Sequence, residues 1–485
     1  MPSPALTLLT EADREHLHEA TLKVLAETGA RFDSPVARAT LKDAGCLVDD
    51  EAAIVRFPPD LVRWALSAVS RKVVLASREP GHDLVLDGSR THTSSTGICP
   101  YVLDIRTGEQ REPELEDLAQ IARLVDVLPE VDACTFSVSP TRDVPSELTD
   151  LASLACVLNN TGKHVHGQLV RPEDVPVALE MLRLAAPEAD LTVTAIFSSL
   201  YCPMSPLVHG KAEVEAAMAM AAEAVPIDIF SLPLAGGTAP MTLAGTIVQT
   251  LAEEISAVIL LKLVNEECPL VLTGNAGALD MSSSRYVSAT PEACLMDLGL
   301  LEMIKYYGAP SQSIGFSNDS FDIGFLCGLE SMSIATFTWL AKADVMTGLG
   351  NIGGAEVFSL AKLALDAEAV QYLARLHRGV DIDEEHVGVD VIHKVGPCGH
   401  YLKEKQTLRA MRAGEQWVPS LFRRRSREQV RDGSSDALAL AEQRVEKLLA
   451  QHSPPPLPPG ALEAIDQLLA DVGRERGLSM DRSAR

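Results

Sequence analysis

Short apolar runs alternate with longer amphipathic stretches through the middle of the chain. The runs have the length of buried strands, and the stretches between them repeat apolar positions at helical spacing, as in PELEDLAQIARLVDVL. Strands that alternate with helices of this length are typical of parallel βαβ units, and eight such units fit a closed barrel. The sequence therefore predicts an α/β fold, a (β/α)₈ or TIM barrel, whose strands are TSSTGIC (93–99), ACTFSV (133–138), KHVHGQL (163–169), TVTAIFSS (192–199), PIDIFSL (226–232), PLVLTG (269–274), QSIGFS (312–317) and DVMTGL (344–349).

An open, doubly wound sheet is the alternative arrangement of such units. No GxGxxG follows the first strand, however, and no phosphate-binding loop occurs in the sequence. The pattern favours the closed barrel.

The chain has a different pattern on either side of the predicted barrel. Residues 10–29 predict a helix capped by Thr10 and ended by Gly29. A second helix follows, and then VVLAS, LVLDG, THTSS and YVLDI predict short antiparallel strands. After the barrel the chain is helical and charged, and SPPPLPPG is a stiff spacer before a last helix. We expect an N-terminal α+β extension, the barrel and a helical C-terminal extension, at residues 1–92, 93–355 and 356–485.

The charge balance limits the partners. The chain has 67 acidic and 42 basic residues, a net charge of −25, which repels nucleic acid and anionic lipid. No stretch reaches the roughly 18 apolar residues that span a bilayer, and the N-terminus lacks the pattern of a signal peptide. We expect a cytoplasmic protein that binds neither nucleic acid nor membranes. The helical C-terminal extension is typical of a capping and dimer surface, so we also expect a homo-oligomer.

The nine cysteines are scattered without a CxxC pair or a Cys/His cluster. This spacing argues against a disulfide framework and a structural zinc site. Cys398 and His400 are close in sequence but are too few for a metal site. We expect no bound metal.

Reactive groups in a (β/α)₈ barrel lie at the C-terminal ends of the strands. The predicted strand ends contain no paired carboxylates, no HExxH and no Ser/His/Asp pattern. Such a site is suited to positioning a substrate and has few groups for proton transfer. The candidates there are Tyr101, His166, Tyr201, Gly236, Gly237, Asn275, Phe316, Asn318, Asp319 and Asn351.

The chain contains several distinctive motifs. The strongest is PLAGGTAPMTLAG (233–245), followed by AEE (252–254). The others, in chain order, are HEATLKVLAETG (18–29), the KH pair at 163–164, SNDSFD followed by a helix with Glu330, VGPCGHYLKEKQT (395–407) and EQWVPSLFRR (415–424). From about residue 10 to residue 450, these motifs resemble those of the trimethylamine methyltransferase family of corrinoid-dependent enzymes.

The resemblance implies a TIM barrel that removes a methyl group from a methylated amine, in metabolism of the kind that feeds methanogenesis. The acceptor is the Co(I) of a small, separate corrinoid protein, so the chain itself holds no permanent cofactor. Founding members use pyrrolysine near the seventh strand, whereas PSQSIGFSNDSFD (310–322) contains only ordinary residues. Members without pyrrolysine are, by resemblance, demethylases of quaternary amines such as glycine betaine.

This resemblance suggests roles for the strand-end candidates. A quaternary ammonium is held over aromatic faces, for which Tyr101, Tyr201 and Phe316 are the first choices and Phe197 and Phe230 the reserves. Asp319 faces the positive charge and, with Asn318, forms the catalytic pair, while Asn275, Asn318 and Asn351 orient a carboxylate. His166 either lines the pocket or is a core histidine, and the Asn, Asp and Ser residues at 317–320 equally suit a simple turn. Gly236 and Gly237 allow a close approach of substrate or of the corrinoid ring.

Two alternatives to the quaternary-amine methyltransferase remain open. One is a different TIM-barrel methyltransferase or lyase acting on another methylated small molecule. The other is a betaine-binding homologue that has lost transfer activity. The sequence does not identify which methylated amine is the substrate.

Overall fold

The computed structural model describes residues 5–186, 195–431 and 436–478. Helix Glu11–Lys23 begins at Thr10, whose side chain accepts a hydrogen bond from the Asp13 N–H. The helix continues as a wider turn, Val24–Thr28, and ends at Gly29 in the left-handed region (φ 77°). Both predicted ends of this first helix are confirmed.

The rest of the N-terminal extension is a small α+β layer. Its helices are Pro35–Asp43 and Pro59–Ser67. Strands Ala30–Phe32, Leu47–Asp49 and Ile54–Arg56 form a sheet with Val208–His209, which comes from the barrel region. Strands Val73–Leu75 and Leu84–Leu86 form an antiparallel hairpin, as predicted for VVLAS and LVLDG.

Eight parallel strands close into a barrel in chain order, which confirms the predicted fold class. THTSS, predicted to be antiparallel, is instead the first parallel strand, because it pairs with the eighth and second strands inside the barrel. Residues 192–194 of the fourth predicted strand lie outside the described residues. The strands are β1 His92–Ser95, β2 Ala133–Thr135, β3 His164–Gln168, β4 Phe197–Tyr201, β5 Ile227–Ile229, β6 Leu270–Thr273, β7 Ser311–Ile314 and β8 Val345–Leu349.

A helix follows each strand and covers the outside of the barrel. The helices are α1 Leu115–Val127, α2 Thr149–Asn160, α3 Val175–Ala185, α4 Lys211–Ala222, α5 Leu243–Val264, α6 Pro291–Tyr306, α7 Phe325–Leu340 and α8 Leu360–Arg378. A short 3₁₀ turn, Pro172–Asp174, precedes α3. Because α8 completes the last βα unit, the repeat extends past residue 355, where the sequence placed the end of the barrel. The domain boundaries stay a prediction.

The N-terminal hairpin closes the base of the barrel. Its apolar side chains pack against inward-facing residues of β2, β6 and β8, forming one cluster of Val73, Leu75, Leu84, Leu86, Ala133, Val271 and Val345. At the opposite end, two small sheets form a rim around the mouth. One contains Leu234–Ala235, Gly277–Asp280 and Arg285–Val287, and the other contains Asn351–Ile352, Val357–Phe358, Tyr101–Leu103 and Gln110–Arg111.

The C-terminal extension has two parts. Helices Ala437–Gln451 and Ala461–Glu475 pack on the barrel helices, and the proline segment between them accepts hydrogen bonds from Arg78 at the carbonyls of Pro455 and Pro456. The preceding part contains the short helices Glu384–Val387, Val389–Val395, Lys405–Arg412 and Arg427–Arg431. No helix within the described residues is long and apolar enough to cross a membrane.

Candidate active site

A buried polar cluster lies on the axis of the barrel. Every second side chain of a barrel strand points to the barrel axis, and the side chains between them point to the surrounding helices. Burying polar groups in a barrel interior costs free energy unless they form hydrogen bonds or bind a ligand. The members of this axial cluster, one from each of β3 to β7, are His166, Ser198, Asp228, Thr273 and Gln312.

Asp228 is the acidic group of the axial cluster. Its Oδ1 accepts a hydrogen bond from Thr273 Oγ1 at 2.7 Å, and its Oδ2 accepts one from Gln312 Nε2 at 2.5 Å. His166 Nε2 lies 3.6 Å from Oδ2. Burial raises the pKa of Asp228 to about 7, against the opposing effect of the hydrogen bond from Thr273. This carboxyl group is therefore balanced between its neutral and ionised forms near neutral pH.

A chain of hydrogen bonds fixes which nitrogen of His166 carries the proton. His164 Nδ1 lies 2.7 Å from the carbonyl oxygen of Ala76, which only accepts, so Nδ1 is the protonated nitrogen of His164. His164 Nε2 then accepts from Ser198 Oγ at 2.8 Å, and Ser198 Oγ in turn accepts from His166 Nδ1 at 2.8 Å. His166 Nε2 is left with a free lone pair directed at Asp228.

Both histidines of this hydrogen-bond chain, His164 and His166, are neutral. Burial lowers the pKa of His164 to about 4, and burial together with the nearby His164 lowers that of His166 to about 3. The group that faces Asp228 is thus an acceptor and not a cation. It favours the protonated carboxyl group as long as no positive charge enters the barrel.

A second pair of carboxyl groups lies behind β5 and β6, on α5. Glu253 accepts from Ser205 Oγ, the Leu207 N–H, Gln249 Nε2 and Ser231 Oγ. The adjacent Glu254 is fully buried and its pKa is held well above the usual range, first by burial and then by the charge of Asp228. This shift favours the neutral form of Glu254.

The layer above the axial cluster is partly open and less polar. Residues i and i+2 of a strand face the same side, so the residue two positions beyond an axial residue also faces the inside of the barrel. On four strands this residue is only partly buried. Phe230 holds this position above Asp228, and its N–H donates to the Tyr201 carbonyl at 2.9 Å, which continues the strand pairing. The four residues are Gln168, Leu200, Phe230 and Ile314.

Three buried amide side chains follow β6, β7 and β8. Asn318 Nδ2 donates to the Asn351 carbonyl at 2.9 Å, and Asn351 Nδ2 donates to the Phe316 carbonyl at 3.2 Å. The side-chain oxygens of Asn318 and Asn351 and the amide nitrogen of Asn275 have no protein partner among the described residues. Buried polar atoms are rarely left without a partner, so these amides have capacity to bind a ligand or water.

Asp319 has a bonding pattern typical of a structural carboxylate. Its oxygens accept from the N–H groups of Ser288 and Ala289 at 2.9 and 3.0 Å, and from Ser288 Oγ at 3.2 Å. Its own N–H donates to Glu330 Oε2 at 2.9 Å. These bonds tie the loop after β7 to the rim sheet and to α7, which supports the turn interpretation. The predicted catalytic role of Asp319 stays a prediction.

The three aromatic first choices lie away from the axial cluster. Tyr201 is on the opposite side of β4 from Ser198, and its hydroxyl bonds His209 Nδ1 at 2.6 Å. Phe316 is buried with Lys362 Nζ 5.9 Å from its ring centroid, and Tyr101 is an exposed residue of the rim sheet. The structure places His166 in the axial cluster and the three asparagines directly after their strands. The reserve Phe230 lies two residues beyond Asp228 and is partly buried.

Gly236 and Gly237 lie in the rim, directly after Leu234–Ala235. Gly236 adopts a left-handed backbone (φ 83°), and a Cβ there would lie 2.7 Å from Met241 Sδ. Met241 and the neighbouring Met281 expose 61% and 66% of their surface. This side of the mouth therefore presents a small, apolar and open surface.

One group of three possible metal ligands occurs within the described residues, outside the barrel. Asp381, His386 and Glu415 have ligand atoms within 4.8 Å of one another. Glu415 is already paired with Arg375 at 3.2 Å and Arg378 at 3.0 Å. The arginines explain the position of Glu415 without a metal.

Sequence reasoning missed Asp228, Ser198, Thr273 and Gln312 because it considered the strand ends and not the strand interiors. The available signal was the pattern Ile-Asp-Ile within an apolar run at 227–229, since a carboxylate is rarely buried without a partner or a function. The expectation of few groups for proton transfer was drawn from the strand ends alone and stays a prediction.

Comparison with known proteins agrees with the fold and the motifs. A family model described as trimethylamine methyltransferase matches residues 1–477. Trimethylamine methyltransferase MttB of Desulfitobacterium hafniense (strain DSM 10664 / DCB-2) is 28% identical over 96% of this chain and 93% of its own length. Glycine betaine methyltransferase of Desulfitobacterium hafniense (strain Y51) is 26% identical over 98% of both chains.

The solved structure of the Methanosarcina barkeri monomethylamine methyltransferase is similar with a TM-score of 0.54 and 13% identity, over 91% of this chain and 88% of that one. This likeness bears on the fold alone, and it agrees with the closed barrel described above. The match of the family model over almost the whole length decides the family. The chain belongs to the trimethylamine methyltransferase family and is a methyltransferase.

Proposed function

We propose that the protein transfers a methyl group from a quaternary amine of the glycine betaine type to the Co(I) of a separate, small corrinoid protein in the cytoplasm. The observation that carries this proposal is the carboxyl group of Asp228 on the barrel axis. It is buried, has two hydrogen-bond donors and faces a neutral histidine. A permanently charged ammonium is the partner that this group lacks.

The electrostatics of the barrel favour a cationic ligand. The axial cluster contains no lysine or arginine, and Asp228 is its only acidic member. A positive charge within about 4 to 6 Å favours the ionised carboxylate, so binding of the cation lowers the pKa of Asp228 and releases its proton. The hydrogen bonds from Thr273 and Gln312 then stabilise the ionised form.

The rest of the pocket is consistent with a betaine. Phe230 lies two residues beyond Asp228 and is partly buried, and a cation over its ring would gain roughly 0.5 to 2 kcal/mol. The unpartnered amide nitrogen of Asn275 is a donor suited to a carboxylate oxygen. One end of the ligand would thus be held by charge and the other by a hydrogen bond.

A quaternary amine fits this chain better than trimethylamine. Sequence identity does not decide between these two substrates, because the relatives named for trimethylamine and for glycine betaine are almost equally similar to this chain, at 28% and 26% identity. The segment 310–322 contains no pyrrolysine. When a methyl group leaves a quaternary nitrogen, the C–N bond breaks, its electron pair stays on nitrogen and a neutral tertiary amine departs. No general acid is required, and the barrel contributes binding and orientation.

The mouth suits approach by a partner that carries a flat cofactor. The corrinoid supplies a cobalt nucleophile when the partner is present. On this chain, Gly236 and Gly237 keep the rim low, and the exposed Met241 and Met281 make it apolar.

The test mixes the purified protein with free Co(I) cobalamin and a panel of methylated amines. We expect methyl-cobalt absorbance to appear with glycine betaine or another quaternary amine and to be absent with trimethylamine. The proposal fails if no quaternary amine gives a signal. Binding without transfer, even with a corrinoid protein encoded nearby, would indicate a betaine-binding homologue, and transfer from a substrate without nitrogen would indicate a different methyltransferase.

A further inference from the structure

One nitrogen of His166 in the axial cluster has an unused lone pair. The hydrogen-bond chain that starts at the Ala76 carbonyl places the proton of His166 on Nδ1, where Ser198 Oγ accepts it at 2.8 Å. Nε2 is therefore an acceptor, and it receives no hydrogen bond from the described residues. His166 is only 7% exposed. A buried acceptor without a donor is a position where a ligand N–H or O–H is favoured.

Asp228 provides a second acceptor beside this lone pair. Its Oδ2 lies 3.6 Å from His166 Nε2, which is longer than a hydrogen bond. Oδ2 accepts from Gln312 Nε2, and a carboxylate oxygen has a further lone pair. A single N–H directed between the two atoms can place its nitrogen about 2.9 Å from both, as a bifurcated hydrogen bond. The pair therefore fits one N–H donor.

A methyl group cannot take the place of that N–H. A carbon atom in C–H···O contact stays about 3.3 to 3.6 Å from the acceptor. The nitrogen behind a methyl group is therefore farther from Asp228 and His166 than the nitrogen of an N–H donor, and Coulomb attraction falls with distance. A quaternary ammonium binds to this pair through its charge alone, whereas an ammonium with an N–H adds a charge-assisted hydrogen bond.

Substrate and product of the proposed reaction differ in this one group. When the methyl group passes to the corrinoid, the C–N bond breaks and its electron pair stays on nitrogen. The tertiary amine then takes a proton from water on that pair, because aliphatic amines are protonated near neutral pH. For glycine betaine the product is dimethylglycine, which carries an N–H where the substrate carried the transferred methyl group.

We propose that His166 distinguishes the tertiary ammonium product from the quaternary substrate, because its Nε2 and Asp228 Oδ2 together accept the N–H that only the product carries. The inference rests on the proposed function, since it takes a quaternary amine as the substrate. The product is the tighter ligand of the two and competes with the substrate for the barrel. Turnover therefore slows as the product accumulates.

The bound product is not a methyl donor in this orientation. Attack on a methyl group requires the reacting atoms to be aligned, with that group directed to the mouth of the barrel. When the N–H points to His166 and Asp228, the other three substituents of the tetrahedral nitrogen are spread around the opposite direction, and none of them points straight to the mouth. The axial cluster thus favours a stop after one methyl group.

The first experiment measures the affinities of glycine betaine and dimethylglycine by isothermal titration calorimetry at about pH 8, where Asp228 is mostly ionised and the amine is protonated. In the wild-type protein we expect dimethylglycine to bind at least about tenfold more tightly. His166→Phe keeps a ring of similar size without the acceptor, so the two affinities should become equal within about twofold. Phe230→Leu is the matched control, because loss of an aromatic face should weaken both ligands and keep their ratio. Circular dichroism checks that both variants are folded.

The second experiment needs no variant. In the ¹⁵N spectrum of the wild-type protein, the Nε2 resonance of His166 should move when dimethylglycine binds and move much less when glycine betaine binds, because only dimethylglycine donates a hydrogen bond to it. In the methyl-cobalt assay, dimethylglycine should raise the apparent KM for glycine betaine and leave kcat unchanged.

Three results would count against the inference. Equal affinities of the wild-type protein for the two ligands would overturn it, and so would a preference for dimethylglycine that His166→Phe leaves unchanged. Either result leaves the quaternary-amine proposal standing, because methyl transfer from glycine betaine is measured separately. A protein that binds neither ligand and transfers no methyl group from any quaternary amine would overturn both proposals together.

Discussion

The axial cluster and the segment 380–414, which leaves the body after α8 and returns at Glu415, invert the usual distribution of residues in opposite ways. Inside the barrel, where apolar side chains are expected, Asp228 and two neutral histidines are buried. In the segment 380–414, where polar side chains are expected, residues such as Leu402 are 86% exposed to water. Each inversion costs free energy unless the buried polar groups are paired or the exposed apolar groups are covered. We propose a small cation as the partner of the buried cluster in the barrel.

Replacing Asp228 by Asn has the largest expected effect on this comparison. The substitution keeps the size of the side chain but removes the negative charge that the quaternary ammonium needs. Removing one partner of a buried ion pair costs about 3 to 5 kcal/mol, so kcat/KM should fall by roughly 100-fold or more. The assay is methyl-cobalt formation with glycine betaine. Thr273→Ser is the control, since it retains the hydroxyl donor; equal loss in both variants would argue against the charge.

The pH dependence of binding sharpens the same point. Asp228 has a pKa of about 7 in the free protein and must be ionised to hold the cation. Affinity for glycine betaine should therefore be constant at high pH and fall about tenfold for each pH unit below about 7. Isothermal titration calorimetry between about pH 6 and about pH 8 measures this, and proton release should appear as a dependence on buffer ionisation heat. A flat profile in the wild-type protein would contradict the proposed role of Asp228.

Ser198→Ala is expected to have a smaller effect, because it breaks the hydrogen-bond chain without touching the charge. Loss of one such bond costs about 0.5 to 1.5 kcal/mol, which corresponds to roughly a tenfold loss of activity at most. The specific readout is the ¹⁵N spectrum of the imidazoles. In the wild type the proton of His166 should be on Nδ1, and in the variant both tautomers should appear. An unchanged spectrum would show that Ser198 does not set the tautomer.

Asp319→Ala should affect stability more than chemistry. The carboxylate accepts from two backbone N–H groups in the rim, at 2.9 and 3.0 Å, so its loss should lower the free energy of unfolding by about 1 to 3 kcal/mol. Thermal unfolding measures the loss. At a temperature where the variant is folded, kcat should change less than about threefold. A drop as large as that of Asp228→Asn would restore the catalytic role first expected from the sequence.

The sequence predicted the fold better than it predicted the site. The alternation of strands and helices is repeated eight times, and this repetition made the barrel clear even though single boundaries were displaced. His166 was a candidate because it lies near the C-terminal end of its predicted strand. Asp228 was passed over because a single polar residue in an apolar run gives no periodic signal. The opposite orientations of Tyr201 and Ser198 depend on strand register, which composition does not reveal.

The N-terminal hairpin has a consequence for any attempt to reuse this scaffold. The carbonyl of Ala76, directly after the hairpin strand Val73–Leu75, is the first acceptor in the chain that ends at the free lone pair of His166. A transplant of the eight strands alone would include the carboxyl group of Asp228 but lose the fixed proton position on His166 beside it. Grafting experiments should therefore move residues 73–86 together with the barrel and treat the two as one functional cassette.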